Sequence, residues 1–151
     1  MELNLPAFDI KLRRRGAGVQ VWDTLRRRWV ALTPEEWVRQ HFVNYLITQM
    51  GYPAGLLANE VSLRLNGTLR RCDSIVYSRG LRPLMVIEYK APHVAVTREV
   101  FEQVARYNTV IKAPYLAVSN GMVSFCCRVD METGKWNFLQ EIPPYPQLEQ
   151  E

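Results

Sequence analysis

The feature that most constrains the fold is a strand, a helix and a second strand in direct succession between residues 84 and 119. LMVIEYKA (84–91) is a continuous apolar run that ends in charged residues, typical of a strand buried on both faces. VTREVFEQVARYNTVI (96–111) places apolar residues at helical spacing after Thr97, a suitable N-cap, and residues 114–119 are again apolar. This order predicts two parallel neighbouring strands joined by a right-handed crossover.

The flanking segments add a second helix and further strands. A helix is predicted over 34–50, because Thr33 can cap its first turn and Glu36 completes a capping-box pattern. Residues 59–78 alternate apolar and polar side chains about Asn66-Gly67, which favours a type I′ turn, and predict a β-hairpin. Shorter strands are predicted at 19–22 and 28–32, on both sides of an Asn120-Gly121 turn, and at 135–140. We expect an α/β fold: a sandwich with a central mixed β-sheet flanked by helices.

Length and composition favour a single domain. The 151 residues are 48% hydrophobic and 23% charged, which suits one core. We divide the chain 1–151 into an N-terminal extension with short strands (1–32), a core (33–140) and a Pro-rich tail (141–151). Three cysteines give neither a disulfide framework nor zinc-site spacing, and no segment resembles a secretory signal or a membrane span. We expect a soluble cytoplasmic protein.

Positive charge is clustered along the chain. The formal net charge is +4, and arginines occur in three runs: Arg13 to Arg15, Arg26 to Arg28, and Arg70 with Arg71. Such runs fit either solvated strand ends and turns or a surface that faces phosphates.

Three charged residues interrupt otherwise apolar strands. Glu88 and Lys90 share one face of their strand because strand side chains alternate. If the preceding strand is a neighbour, its Asp73 lies close enough to Glu88 for both carboxylates to bind one cation. Adjacent carboxylates repel and are tolerated chiefly around a hard cation such as Mg²⁺. With a lysine to orient water or stabilise developing charge, these are the groups required to cut a phosphodiester, although E-x-K alone is also a common ion pair.

Two residues of the following helix strengthen this hypothesis. Gln103 and Tyr107 are spaced i, i+4, so both can project over the same site. A glutamine within an apolar stripe is unusual there, and the alternative is a boundary residue that reaches solvent.

Taken in order, these motifs resemble the PD-(D/E)xK nuclease superfamily, and in particular the N-terminal nuclease domain of type I restriction enzyme R subunits. The similarity covers about residues 26–140 and is carried by LTPEEWVRQHF, RRCDSIVY, VIEYKAP, FEQVARYN and AVSNG. It implies a restriction-endonuclease-like core with Asp73, Glu88 and Lys90 as catalytic residues. The sequence departs from the family formula at Cys72, where the name-giving proline would stand.

The resemblance also implies a metal and a substrate. Mg²⁺, with Mn²⁺ as a substitute, would be held by Asp73 and Glu88, and Glu36 either completes that acidic site or only caps its helix. Gln103 and Tyr107 would position DNA or the lysine, and the basic pair Arg70 and Arg71 is assigned to substrate binding. A helicase motor or another restriction-modification subunit is the implied partner, because this sequence has no P-loop of its own.

Several alternatives stay open from the sequence. The leading hypothesis is a Mg²⁺-dependent DNA endonuclease. A catalytically inactive nucleic-acid-binding or subunit-docking module with the same fold is the main alternative, and a fold that acts on RNA or a nucleotide is another. Sequence specificity and oligomeric state, including a homodimer, are not determined.

Overall fold

The computed structural model describes residues 2–150, which form nine strands and three α-helices. A short 3-10 helix occupies Ala54–Leu56. In chain order the elements are β1 (Leu12–Arg15), β2 (Gly18–Asp23), β3 (Arg28–Ala31), α1 (Pro34–Gln49), β4 (Leu57–Leu65), β5 (Thr68–Tyr77), β6 (Pro83–Tyr89), α2 (Arg98–Ile111), β7 (Tyr115–Ser119), β8 (Ser124–Val129), β9 (Trp136–Phe138) and α3 (Tyr145–Glu149).

The central sheet is mixed, which confirms the predicted α/β architecture. Its six strands lie in the order β4-β5-β6-β7-β8-β9. β6 and β7 pair in parallel through α2, as the strand–helix–strand pattern predicts, and the other neighbours are antiparallel. The β4–β5 hairpin turns at Asn66 and Gly67, whose φ angles of 52° and 78° match the expected type I′ geometry.

Helices cover both faces of this sheet. α1 packs Phe42 and Leu46 against Ile87 of β6, while α2 packs Phe101 and Val104 on the opposite face. Alternate side chains of β6 therefore enter separate apolar layers, which explains its continuous hydrophobic sequence. No helix within residues 2–150 is both long and apolar enough to cross a bilayer.

The N-terminal extension forms a small sheet of its own. β1, β2 and β3 pair antiparallel in that order, and β1 includes the first arginine run, for which no strand is predicted. The turn between β2 and β3 is tied to α1, since Arg26 contacts both Asp23 and Glu36. This small sheet is thereby held beside the start of α1.

Helix ends and the tail differ partly from expectation. Thr33 accepts a hydrogen bond from the Glu36 amide at 3.0 Å, as predicted, but the Thr97 side chain makes no such bond at the start of α2. The Pro-rich tail contains α3, which the sequence analysis misses. Leu148 of α3 is fully buried and the Tyr145 hydroxyl donates to the Tyr77 carbonyl at 2.9 Å, so packing against the body stabilises a segment of weak local helix propensity.

Candidate active site

Asp73 and Glu88 lie side by side on neighbouring strands. The last ladder pair between β5 and β6 is Ser74 with Ile87, which places Asp73 and Glu88 directly beyond it. The Tyr89 amide donates to Asp73 Oδ2 at 2.9 Å, and Asp73 and Glu88 are close enough for each to shift the pKa of the other. The hairpin connection therefore brings together the two carboxylates that the sequence places 15 positions apart.

The surroundings of this pair oppose its ionisation. Burial, and then the charge of Asp73, raise the pKa of Glu88 to about 8, although the Lys90 ammonium partly opposes the shift. Burial also raises the pKa of Asp73, against the Tyr89 amide and the Arg39 charge. Because burial and mutual repulsion disfavour the doubly ionised form, the pair retains a proton near neutral pH in the absence of a cation.

Lys90 follows the last residue of β6. Its amide donates to the Ser119 carbonyl at 2.9 Å, so pairing with β7 continues at this position. Its Nζ lies 3.9 Å from Glu88 Oε1, and its side chain is 26% exposed against 11% for Glu88. The lysine thus reaches from a fixed backbone toward the more accessible side of the carboxyl pair.

A third carboxylate, Glu60, completes a row across three strands, and the sequence analysis misses it. β4 and β5 pair regularly on both sides of this point, at Asn59 with Ser74 and at Val61 with Cys72, but the intervening partners Glu60 and Asp73 do not pair. Glu60 has a φ of 57°, an uncommon conformation for a non-glycine residue. Its negative charge raises the pKa values of Asp73 and Glu88. No sequence motif marks Glu60, and the signal for its role is the irregular backbone, which only the structure shows.

Arg39 connects the acidic residues to α1. Its guanidinium contacts Glu36 at 2.5 Å and Glu60 at 3.3 Å, and donates to the Asp73 main-chain carbonyl at 3.0 Å. Burial by itself would lower the Arg39 pKa, but the hydrogen bonds and charge of Glu36 outweigh it and raise that pKa. Arg39 therefore stays charged and fixes the position of β5 beneath the carboxyl pair.

The Glu36 side chain binds two arginines and does not contact the Asp73–Glu88 pair. It binds Arg39, and it accepts from Arg26 at 2.7 Å and from Gln40 at 3.0 Å. Burial opposes its ionisation, but these partners hold the pKa of Glu36 below its ordinary value. Its amide takes part in capping while its side chain does not reach back to Thr33. A metal-ligand role for Glu36 stays a prediction that requires Arg39 to release it.

The residues predicted to contact substrate divide between two surfaces. Gln103 and Tyr107 lie on α2, and burial followed by the Glu88 charge raises the Tyr107 pKa. Tyr107 therefore lies within electrostatic reach of Glu88, and Gln103 lines a groove with it. Arg70 lines a groove with them, whereas Arg71, the next residue along β5, projects to the other face of the sheet.

A cleft of about 470 Å³ reaches the site from the side of the N-terminal sheet. Arg28 and Trp29 of β3 line one wall, and Glu60, Asp73 and Arg39, among others, line the rest. A segment with no predicted role in chemistry thus forms one side of the entrance.

The donor set fits a hard divalent cation. Asp73 and Glu88 supply adjacent oxygens whose pKa values are raised, and a cation between them would relieve that repulsion. Within residues 2–150 no three His, Cys, Asp or Glu side chains converge as a metal-binding group. Two carboxylates completed by water match the coordination of Mg²⁺, which retains several waters, better than that of zinc.

Comparison with known proteins identifies the family. A family model described as the type I restriction enzyme R protein N terminus (HSDR_N) matches residues 34–143. The chain belongs to this family. All the predicted site residues lie within that match, whereas the R-protein N-terminal family model leaves the small sheet of β1, β2 and β3 outside.

A solved structure supports the same architecture. A fragment described as an HsdR subunit of a type I restriction enzyme from Vibrio vulnificus YJ016 superposes with a TM-score of 0.59 at 17% identity, over 79% of this chain. The aligned part is 25% of that chain, so the present sequence corresponds to about a quarter of its length. No curated protein matches. At this identity the comparison establishes a shared fold.

Proposed function

We propose that this protein is a Mg²⁺-dependent DNA endonuclease of the PD-(D/E)xK type that serves in a restriction system. The observation that carries the proposal is the Asp73–Glu88 carboxyl pair, in which Glu88 is buried and Asp73 half-buried, with Lys90 Nζ 3.9 Å from Glu88. A buried pair that resists ionisation costs stability, and is retained most readily where a cation or a reaction uses it. Membership in the R-protein N-terminal family supports the restriction role.

Each member of the site has a distinct chemical task in this proposal. Asp73, oriented by the Tyr89 amide, and Glu88 would hold the metal, which supplies Lewis-acid polarisation of a phosphate oxygen and acidifies a bound water. Lys90 would orient the attacking water or donate a hydrogen bond to the developing charge on the phosphorus oxygens. Gln103 and Tyr107 would restrain the DNA strand or the lysine from α2.

The whole assembly is also part of the proposal. Because the chain corresponds to a quarter of the matched HsdR fragment, we propose that it acts on DNA together with a motor or another restriction-modification subunit. Such a partner would bring the nuclease module to its position on DNA, while the cleavage chemistry itself resides in this chain.

The direct test is incubation of the purified protein with supercoiled plasmid, with Mg²⁺ or Mn²⁺ and with a chelator. We expect nicked or linear product only with metal. Asp73→Asn keeps the shape of the side chain but removes its charge, and should abolish product formation. Glu35→Gln removes an exposed carboxylate from the same cleft and should cleave at the parent rate.

Two results would contradict the proposal. Parent protein that binds plasmid but does not cut it under any metal condition would instead favour the binding or docking module. Cleavage that survives Asp73→Asn at the parent rate would exclude the assigned centre.

A further inference from the structure

A second, smaller groove lies between the β4–β5 hairpin and α2. It encloses about 170 Å³ and is lined by Leu65, Arg70, Gln103, Arg106 and Tyr107. Two of these side chains are cationic, two are neutral hydrogen-bonding groups, and no carboxylate lines the groove. The groove thus has the charge opposite to that of the carboxyl pair on the neighbouring strands.

The two arginines approach this groove from different elements. Arg70 is paired with Leu63 across the hairpin, on the sheet face that α2 covers, and Arg106 lies on the exposed surface of α2. Among residues 2–150, no ion pair or side-chain hydrogen bond occupies either guanidinium. By contrast, Arg26 and Arg39 in the larger cleft are already neutralised by carboxylates.

The groove is continuous with the candidate active site. Tyr107 lines it and also lies within electrostatic reach of Glu88 and Asp73. Gln103, one helical turn before Tyr107, lines the same space. A DNA phosphate in the groove would therefore lie close to a second phosphate positioned for cleavage at the carboxyl pair.

We propose that Arg70 and Arg106 form a clamp for a DNA backbone phosphate that flanks the scissile one. This inference rests on the proposed nuclease function, and it adds Arg106 to the residues assigned to substrate. Guanidinium groups bind phosphate oxygens through paired N–H donors, and two of them on opposite walls fix a phosphate from both sides. The groove is small, so the phosphate ridge of one strand enters it and the bases stay outside.

The clamp also has an electrostatic purpose. When Asp73 and Glu88 are ionised, DNA that approaches the row of Asp73, Glu88 and Glu60 is repelled, and the arginine bound to Glu60 offsets this only in part. A pair of unneutralised arginines beside that row offsets the repulsion and fixes the register of the strand without reading its sequence.

Salt-dependent DNA binding tests this clamp without any need for cleavage. The full chain is titrated against a short fluorescent duplex in chelator, at salt concentrations from 50 to 200 mM. Each lost phosphate contact should reduce the slope of log K against log salt by about 1. Because both arginines bind one phosphate, we expect a reduction of about 1 for Arg70→Gln with Arg106→Gln, a smaller reduction for Arg106→Gln, and the parent slope for Arg106→Lys.

The control is Arg64→Gln, which removes the same charge from the opposite face of the same hairpin and should leave the slope unchanged. The reduction should be equal on two duplexes of unrelated sequence, because backbone contacts carry no sequence information. Thermal midpoints should match the parent, because Arg106 is exposed.

The outcomes separate this inference from the proposed function. Binding that weakens as expected in a protein that never cuts DNA would leave the clamp in place and reject the nuclease. A parent slope for Arg106→Gln, an equal loss for Arg64→Gln, or a parent that shows no salt-dependent binding would each overturn the clamp.

Discussion

A substitution at Lys90 tests whether a single residue can affect catalysis without affecting stability. Its amide is fixed by Ser119, and its partly exposed ammonium lies 3.9 Å from Glu88 Oε1. We expect Lys90→Ala to reduce plasmid nicking by at least about 10²-fold, the scale of losing one positioned electrostatic or proton-transfer group. Stability should change by at most about 1 kcal/mol, because a partly exposed ion pair contributes little.

Nicking rates and thermal midpoints of Lys90→Ala, measured beside the parent, decide the point. Lys135→Ala is a suitable control, since it removes an exposed ammonium that lies on the connection between β8 and β9. Full nicking activity in the Lys90 variant would mean that Lys90 has no catalytic role and serves only as a surface ion-pair partner of Glu88.

The raised pKa of Glu88 predicts how the thermal stability of the metal-free protein depends on pH. Burial raises its pKa in the folded chain from 4.5 to about 8, so the folded state binds a proton more tightly than the unfolded chain. Stability from this group is complete below the unfolded pKa and is lost as pH rises through the folded one. We therefore expect a fall in the thermal midpoint between about pH 4.5 and pH 8 in chelator.

Glu88→Gln removes this titration while keeping the shape of the side chain. The variant should have a flatter midpoint profile and exceed the parent at pH 8 by several degrees, at ~2–4 °C per kcal/mol for a chain of this size. Differential scanning fluorimetry across pH gives both curves. Parallel curves would mean that Glu88 is already ionised in the folded protein.

At the scale of elements, Arg26 holds the N-terminal sheet against α1. Its side chain is 14% exposed and contacts Asp23 and Glu36, which are 1% and 6% exposed. Removing the arginine leaves two buried carboxylates with fewer partners, so we expect Arg26→Ala to lower the free energy of unfolding by about 3 kcal/mol. Denaturant titration measures the change.

The matched control for this prediction is Arg15→Ala, an exposed arginine at the end of β1. It should unfold within about 0.5 kcal/mol of the parent, as surface substitutions usually do. If both variants had equal midpoints, the Arg26 network would not hold the small sheet in place.

For the whole molecule, divalent metal should act as a stabilising ligand. Binding to the folded state alone stabilises by about 2.7 kcal/mol when the metal is at 100 times its Kd. Since burial and mutual repulsion raise the pKa values of Asp73 and Glu88, Mn²⁺ should relieve an existing cost and raise the thermal midpoint. Asp73→Ala should lose most of that rise.

Calorimetric titration with Mn²⁺ provides the second measurement. Heat and affinity that are unchanged in Asp73→Ala would place the metal elsewhere in the chain. An equal midpoint shift in both proteins would lead to the same conclusion.

The amino-acid sequence by itself determines most of the elements, β1 and α3 excepted, and the central pair of the candidate site. Continuous apolar residues predict β6, helical spacing predicts α1 and α2, and Asn66-Gly67 closes the β4–β5 hairpin. These signals are local, because they depend on periodicity and on turn chemistry within a few residues. The proximity of Asp73 and Glu88 also follows from local signals, since a short turn makes consecutive strands neighbours.

Only the tertiary structure decides which charges neutralise one another. Glu36 satisfies the capping pattern in sequence, yet its side chain pairs with Arg39 and Arg26, and Arg39 also binds the Glu60 carboxylate, where the β4 backbone is irregular. Arg39 and Glu60 are 21 positions apart, a separation for which the sequence carries no periodic signal. Burial removes the solvent that would screen these pairs, and the groove lined by Arg70 and Arg106 forms only when α2 lies beside the β4–β5 hairpin.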